Sequence, residues 1–206
     1  MSDDKPIFEL RENGPLILKH CASMKGADGD VTLVKPVMAL CRCGASKSKP
    51  FCDGTHKDIG FLSSGGKPAG RDRLIAYEGA EVTVTYNPLL CSHAAECGRL
   101  ASHVFDPAQK PWIQPDNGTK AEVEAVVAAC PSGALAFAGA EHRIAERTTV
   151  EVEPNGPYWV TGAAIDAPLS GEGGSADKYV LCRCGRSGNK PYCDGTHRDE
   201  GWRSED

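Results

Sequence analysis

The apolar positions of this chain come in short runs of three kinds, and each predicts a different element. The first kind is strand-like and occurs twice. Asn13-Gly14-Pro15 leads into Leu16-Ile17-Leu18, Asn155-Gly156-Pro157 leads into Tyr158-Trp159-Val160, and a second strand is predicted to end at Leu40 in one copy and Leu181 in the other. The second kind is an alternation from Glu81 to Tyr86, with Val82, Val84 and Tyr86 set against Thr83 and Thr85, which predicts a short strand. A closing strand is predicted over Thr148 to Val152. The third kind has a helical period. Cys97, Leu100, Ala101 and Val104 form one stripe, and Val123, Val126, Val127 and Cys130 form another behind a capping box of Thr119 and Glu122. Asp116-Asn117-Gly118 supplies the turn before the second helix. Both helices would carry a cysteine on the buried face.

The strand-like pattern belongs to a repeat that also carries the chemistry. Sixteen residues, Cys41 to His56, recur almost unchanged as Cys182 to His197, at an offset of 141, while the Asn-Gly-Pro strands match at 142. Each copy holds two cysteines one residue apart, a third after eight intervening residues, and a histidine four positions beyond that. Asp53 is expected to cap a short helix on which Cys52 and His56 stand at i and i+4 and ligate together. Gly54 would let the backbone approach an inorganic core, and Pro50 would fix the approach to the third ligand. The same holds for Cys182, Cys184, Cys193 and His197 with Gly195 and Pro191. Gly60-Phe61 and Gly201-Trp202 close the repeats as aromatic plugs. Three thiolates and an imidazole suit a closed zinc site or an iron-sulfur cluster, and spacing alone leaves the two metals nearly even. A third set, Cys91, Cys97 and Cys130, lies between the repeats. Cys21 is left over as a plain thiol, and His20, His103 and His142 show no ligand pattern.

Composition narrows the class. With 206 residues, 40% hydrophobic and 6% aromatic, and with 23 Gly and 14 Pro, the chain suits small loop-rich modules held partly by metal. The expected division is 1–75, 76–150 and 151–206. Ten cysteines without a signal-like start imply a reducing compartment, so a cytoplasmic location is expected. No apolar run reaches the ~18 residues of a membrane span. A net charge of -5 argues against nucleic-acid or anionic-membrane partners, although Lys47, Lys49 and Lys57 gather around the first motif, offsetting anionic charge or facing solvent. Ser170 to Ser175 is expected to be a flexible connection. With no Ser/His/Asp set, phosphate loop or dinucleotide fingerprint, an enzyme is not expected.

The pattern Cys-x-Cys-x2-Ser-x3-Pro-x-Cys-Asp-Gly-Thr-His resembles the CDGSH iron-sulfur domain of the mitoNEET family, with Thr55 and Thr196 where the family name has serine. The resemblance implies one [2Fe-2S] cluster on Cys41, Cys43, Cys52 and His56 and a second on Cys182, Cys184, Cys193 and His197. The preference for iron over zinc comes from this resemblance. It also implies a pseudo-two-fold pair in one chain, and hence a monomer, because proteins of this type are homodimers of single motifs. Residues 80 to 140 resemble a single-cluster bacterial ferredoxin domain that departs from the Cys-x2-Cys-x2-Cys pattern, since Ala94 fills the slot of the middle ligand. Three cysteines then imply a [3Fe-4S] cluster, or a [4Fe-4S] cluster if His93 or solvent supplies the fourth bond.

The expected fold is α+β and loop-rich: two small β-rich CDGSH modules and a small α+β ferredoxin-like domain. The expected function is electron transfer, with redox proteins as partners. Exchanging an anionic thiolate for a neutral imidazole makes a cluster easier to reduce, so the sites would differ in potential. An imidazole also competes with protons for iron, which makes storage of clusters and their transfer to apo-proteins the alternative. A zinc-stapled interaction module is the third.

Overall fold

The computed structural model describes residues 5–29, 31–32, 35–138 and 148–205. Both Asn-Gly-Pro segments are hairpin turns. Asn13 and Asn155 take positive φ (48° and 53°), which asparagine tolerates, and Gly14 and Gly156 donate their N–H groups back to Arg11 and Glu153. Each predicted strand is therefore the second arm of a hairpin: β1 (Ile7–Leu10) pairs with β2 (Leu16–Lys19). β3 (Met24–Lys25) and β4 (Val31–Thr32) follow, then β5 (Val37–Leu40), which pairs with β2, and α1 (Thr55–Asp58).

The middle of the chain forms a three-stranded sheet in the order β6 (Ile75–Tyr77), β7 (Val84–Tyr86), β8 (Leu135–Phe137), with α2 (Glu96–Ala101) and α3 (Lys120–Ala129) between β7 and β8. Val84, Ala101, Val104, Phe105, Ile113, Val123, Val126 and Leu135 make its core. The capping box is present as read, and Cys130 is the residue that ends α3. β7 is shorter than the alternation predicts, because residues 79–82, closed by the bond from Gly79 N–H to the Val82 carbonyl, form the turn that joins it to β6. The stripe on α2 is also narrower: the helix stops at Ala101 and leaves Leu100 at 43% exposure on its flank. His142 lies outside the described residues.

The second repeat follows with β9 (Thr149–Val152), β10 (Tyr158–Thr161), β11 (Ala164–Ile165), β12 (Lys178–Leu181) and α4 (Thr196–Asp199). One sheet runs β11-β1-β2-β5 and the other β12-β10-β9-β3-β4. Each repeat thus lends a strand to the other's sheet, β11 lying parallel to β1 and β3 parallel to β9. One core results, in which Phe8, Leu16, Leu18 and Leu40 pack with Val150, Tyr158, Val160, Tyr179 and Leu181. Cys21 is part of it, and its thiol donates to the Ser23 carbonyl at 2.9 Å. The molecule is a mixed α+β protein of small sheets and short helices. Among the described residues no helix is long and apolar enough to cross a membrane.

The segment from Ser170 is not a free connection. Glu172 N–H donates to Asp72, Glu172 Oε2 accepts from Leu74 N–H, and the Glu172 carbonyl accepts from buried Asn87. Asn87 also donates to Asp72 at 2.7 Å, and Asn189 donates to the Ser170 carbonyl. Glycine-rich composition suggested freedom, but polar neighbours on three segments hold this loop in place.

Tyr158 is fully buried, and its hydroxyl donates across the repeats to the carbonyls of Cys41 (2.7 Å) and Pro50 (3.0 Å). Tyr158→Phe leaves both carbonyls without this donor, so the denaturation midpoint should fall by an equivalent of about 1–3 kcal/mol, read by chemical unfolding.

Candidate metal centres

The first motif is a continuation of β5. Cys41 N–H bonds the Pro50 carbonyl and Cys52 N–H bonds the Ala39 carbonyl, so the chain returns beside itself and the third cysteine arrives next to the first. Ser46 Oγ donates to the Phe51 carbonyl and holds the loop closed. The second motif repeats this with Cys182 to Pro191, Cys193 to Val180 and Ser187 to Tyr192.

The helix cap differs from expectation. Gly54, not Asp53, is the N-cap of α1, at φ 96°, and Gly195 does the same for α4 at φ 89°. Asp53 stands one residue earlier, accepting from Thr55 N–H through Oδ1 and from Lys47 N–H through Oδ2, which ties the helix start to the preceding loop. These bonds hold its pKa below the ordinary carboxylate range. Cys52 lies before the helix, yet its sulfur is 3.3 Å from Nδ1 of His56; Cys193 and His197 are also 3.3 Å apart. The reason for glycine at position 54 is its left-handed backbone, since a Cβ there would meet nothing within 4 Å.

In the other half of each site, the sulfurs of Cys41 and Cys43 are 3.7 Å apart and those of Cys182 and Cys184 are 3.8 Å apart. In each pair of free thiols one S–H donates to the other sulfur. That bond lowers the pKa of one thiol of each pair, Cys41 and Cys182, and raises that of its neighbour, Cys43 and Cys184. Two thiolates on one tetrahedral metal stand about 3.8 Å apart, and a thiolate and an imidazole nitrogen about 3.5 Å. Each motif therefore presents two pairs with the spacing of donors on a common metal atom. Among the described residues, no three His, Cys, Asp or Glu side chains converge to hold a single ion.

Between the motifs lie buried groups that the spacing did not single out. Arg42 donates to the Gly14 carbonyl at 2.7 Å and stacks on Phe61; Arg183 donates to the Gly156 carbonyl at 2.9 Å and stacks on Trp202. Burial lowers both guanidinium pKa values, and the facing thiolates raise them, Cys182 for Arg42 and Cys41 for Arg183. These arginines are the buried cations of the sites, whereas Lys47 and Lys57 are exposed. The aromatic plugs are present: Phe61 and Trp202 are buried, and their N–H groups bond the carbonyls of His56 and His197. The sequence signal for Arg42 and Arg183 was their place inside both Cys-Arg-Cys triplets.

In the middle module Cys91, Cys97 and Cys130 line one cavity together with His93, Ala94, Ser132 and Trp112. Cys91 follows a turn capped by Asn87, Cys97 lies in the first turn of α2, and Cys130 caps the end of α3. His93 takes φ 56° and sets Nδ1 3.9 Å from the Cys91 sulfur. His20 also has a positive φ, and His103 faces Glu122 at 3.6 Å, away from the cysteines.

Comparison with known proteins agrees with this arrangement. Residues 13–57 and 155–198 match the family described as "Iron-binding zinc finger CDGSH type", and residues 77–139 match that described as "Divergent 4Fe-4S mono-cluster". The chain is 39% identical over 61 residues to the uncharacterized protein YjdI of Escherichia coli K12, and equally to that of E. coli O157:H7, which spans 30% of this chain and 80% of the relative. No solved structure matches the chain. The two family matches define an iron-sulfur protein. The chain belongs to the CDGSH iron-sulfur family, with a divergent mono-cluster ferredoxin-type domain set between its two CDGSH regions.

Gly44 and Gly185 touch the opposite motif: a Cβ on Gly44 would collide with the Cys184 carbonyl, and one on Gly185 with that of Cys43. Gly44→Ala should therefore disturb both CDGSH sites, with loss of iron from each. Gly54→Ala meets no atom and carries only the left-handed strain of about 1–2 kcal/mol. Equal iron loss in the two variants, measured per chain, would contradict this contact.

Proposed function

We propose that the chain is an electron-transfer protein holding two [2Fe-2S] clusters and one ferredoxin-type cluster, and that it is not an enzyme. The observation that carries the reading is that each CDGSH donor set comes as two close pairs, 3.7 and 3.3 Å in the first motif and 3.8 and 3.3 Å in the second, while among the described residues no three donors converge on one ion. A zinc site needs four donors around one atom, whereas two irons bridged by sulfide take two donors each. Cys41 and Cys43 would then hold one iron and Cys52 and His56 the other, and likewise Cys182, Cys184, Cys193 and His197. The clusters would supply one-electron chemistry; the chain's own groups would orient the imidazoles and set Arg42 and Arg183 beside the thiolates. Reciprocal strand exchange supports the reading of the two modules as a pseudo-two-fold pair and a monomer.

For the middle site, ligand count favours a [3Fe-4S] cluster on Cys91, Cys97 and Cys130. A [4Fe-4S] cluster with His93 as fourth ligand is the second reading, favoured by the place of His93 on the cavity wall and by the description of the matching family. Electron transfer is preferred to storage and transfer of clusters because a ferredoxin-type module beside the CDGSH pair has no role in simple storage. Redox proteins are the partners on this reading, and apo-acceptors on the alternative.

Anaerobic protein should contain about seven irons per chain and be paramagnetic when oxidised; about eight with a silent oxidised spectrum would make the middle cluster four-iron. Reductive titration should be reversible with iron retained, whereas loss of iron to an apo-acceptor without reduction would favour the carrier. Cys130→Ala should remove the middle cluster alone, and His56→Cys should lower the potential of the first. Stoichiometric zinc without sulfide would overturn the proposal.

A further inference from the structure

The two CDGSH motifs share their sequence but not their surroundings. Around the second, Cys182, Cys184, Cys193 and His197 are all buried, His197 being the most open at 9%. In the first, only Cys41 is buried, and Cys43, Cys52 and His56 are all partly exposed. Equivalent positions, 141 residues apart, show what makes the difference. Gly195 is packed against the His93 ring and the Cys91 carbonyl of the middle module, so that a Cβ there would strike both, while a Cβ on Gly54 meets nothing within 4 Å. Asp194 is buried and accepts from Ala69 N–H at 3.1 Å and Gly188 N–H at 2.9 Å; Asp53 is exposed and accepts only from its own motif.

The covering extends along the whole motif. Gly188 lies against the backbone of Lys67 and Pro68, and its counterpart Lys47 is exposed. Lys178 is buried, and its ammonium donates to the Val127 and Ala128 carbonyls at the end of α3, at 3.1 and 3.4 Å; its counterpart Val37 is 54% exposed. Arg198 lines a cavity together with Cys91, His93 and Cys97. The linker 67–69 and the middle module therefore form a lid on the second motif that the first lacks.

Resting on the proposed cluster assignment, we infer that the two CDGSH sites have different tasks: the second is sealed by the ferredoxin-type module, and the first is the one that a partner or a metal acceptor reaches. Its donors Cys43, Cys52 and His56 lie at the surface that the second repeat spends on the internal contact. A chelator that strips the first site would break three Fe–S(Cys) bonds, one Fe–N(His) bond and the four Fe–sulfide bonds; two ferric ions would pass to the chelator, and water would supply the protons that turn the two sulfides into H2S and the three thiolates into thiols. No electron is transferred.

The test compares two variants of the full chain, each loaded with iron and sulfide and then challenged with EDTA: Cys193→Ser, which keeps the first site, and Cys52→Ser, which keeps the second. Both retain the middle site, so the difference between them reports the CDGSH sites. Iron should leave Cys193→Ser faster by about tenfold or more, because release from the covered site waits on local opening. Equal rates, or faster loss from Cys52→Ser, would overturn the inference. Amide hydrogen exchange on the wild-type protein gives a second reading that needs no substitution: residues 193–197 should exchange about tenfold more slowly than 52–56, and equal protection would overturn it. Iron and sulfide assays of the starting protein keep the two failures apart, since a colourless chain refutes the cluster assignment while the exchange experiment still reports the lid.

Discussion

The contact on which the rest of the structure depends is the backbone meeting of the two CDGSH motifs. Gly44 lies on the Cys184 carbonyl and Gly185 on that of Cys43, with no room for a side chain at either. Such proximity requires the sheets beneath to be locked together, and the exchange of β3 and β11 does this. Neither repeat can complete its own sheet. The Tyr158 hydroxyl then crosses from one repeat to the carbonyl of the other's first cysteine. Fold and metal site are thus fixed by the same few contacts, so a side chain added at either of these glycines reaches the donors of both repeats.

This arrangement suits a protein with little core. The shared core and the core of the middle module are separate clusters, and the CDGSH donors stand outside both. Metal ligation is then part of folding, because it satisfies thiols and imidazoles that burial would otherwise penalise. Burial raises Cys193, for example, which disfavours the free thiolate until a metal takes it. Arg42 and Arg183 supply positive charge where the ligated thiolates accumulate negative charge. The middle module adds a third donor set and closes over one motif only, which turns a duplicated sequence into two unequal sites.

Much of this was legible in the sequence where a local signal existed. The repeated Cys-x-Cys and Cys-x3-His spacings, the hairpin segments ending at Leu40 and Leu181, and the capping box of Thr119 and Glu122 all depend on neighbours in the chain. What depends on distant neighbours was not legible. β3 and β11 are two residues each, too short for any period, and their pairing is set by the sheet they join. Asp53 looked like a helix cap because its type caps helices, but the backbone turns one residue later, at Gly54. The glycine-rich stretch from Ser170 suggested a free linker, but Asp72, Leu74, Asn87 and Asn189 from elsewhere hold it. Nothing in two nearly identical motifs indicates that one is covered.

The central claim is that each CDGSH donor set serves two bridged irons instead of one metal ion. X-ray absorption at the iron edge of the loaded Cys130→Ala variant, which leaves only the CDGSH sites to hold iron, tests it most directly. The account predicts iron neighbours of sulfur with a minor nitrogen contribution and a short iron–iron shell, which requires irons in bridged clusters. Isolated metal ions with four protein donors and no metal–metal shell would contradict it.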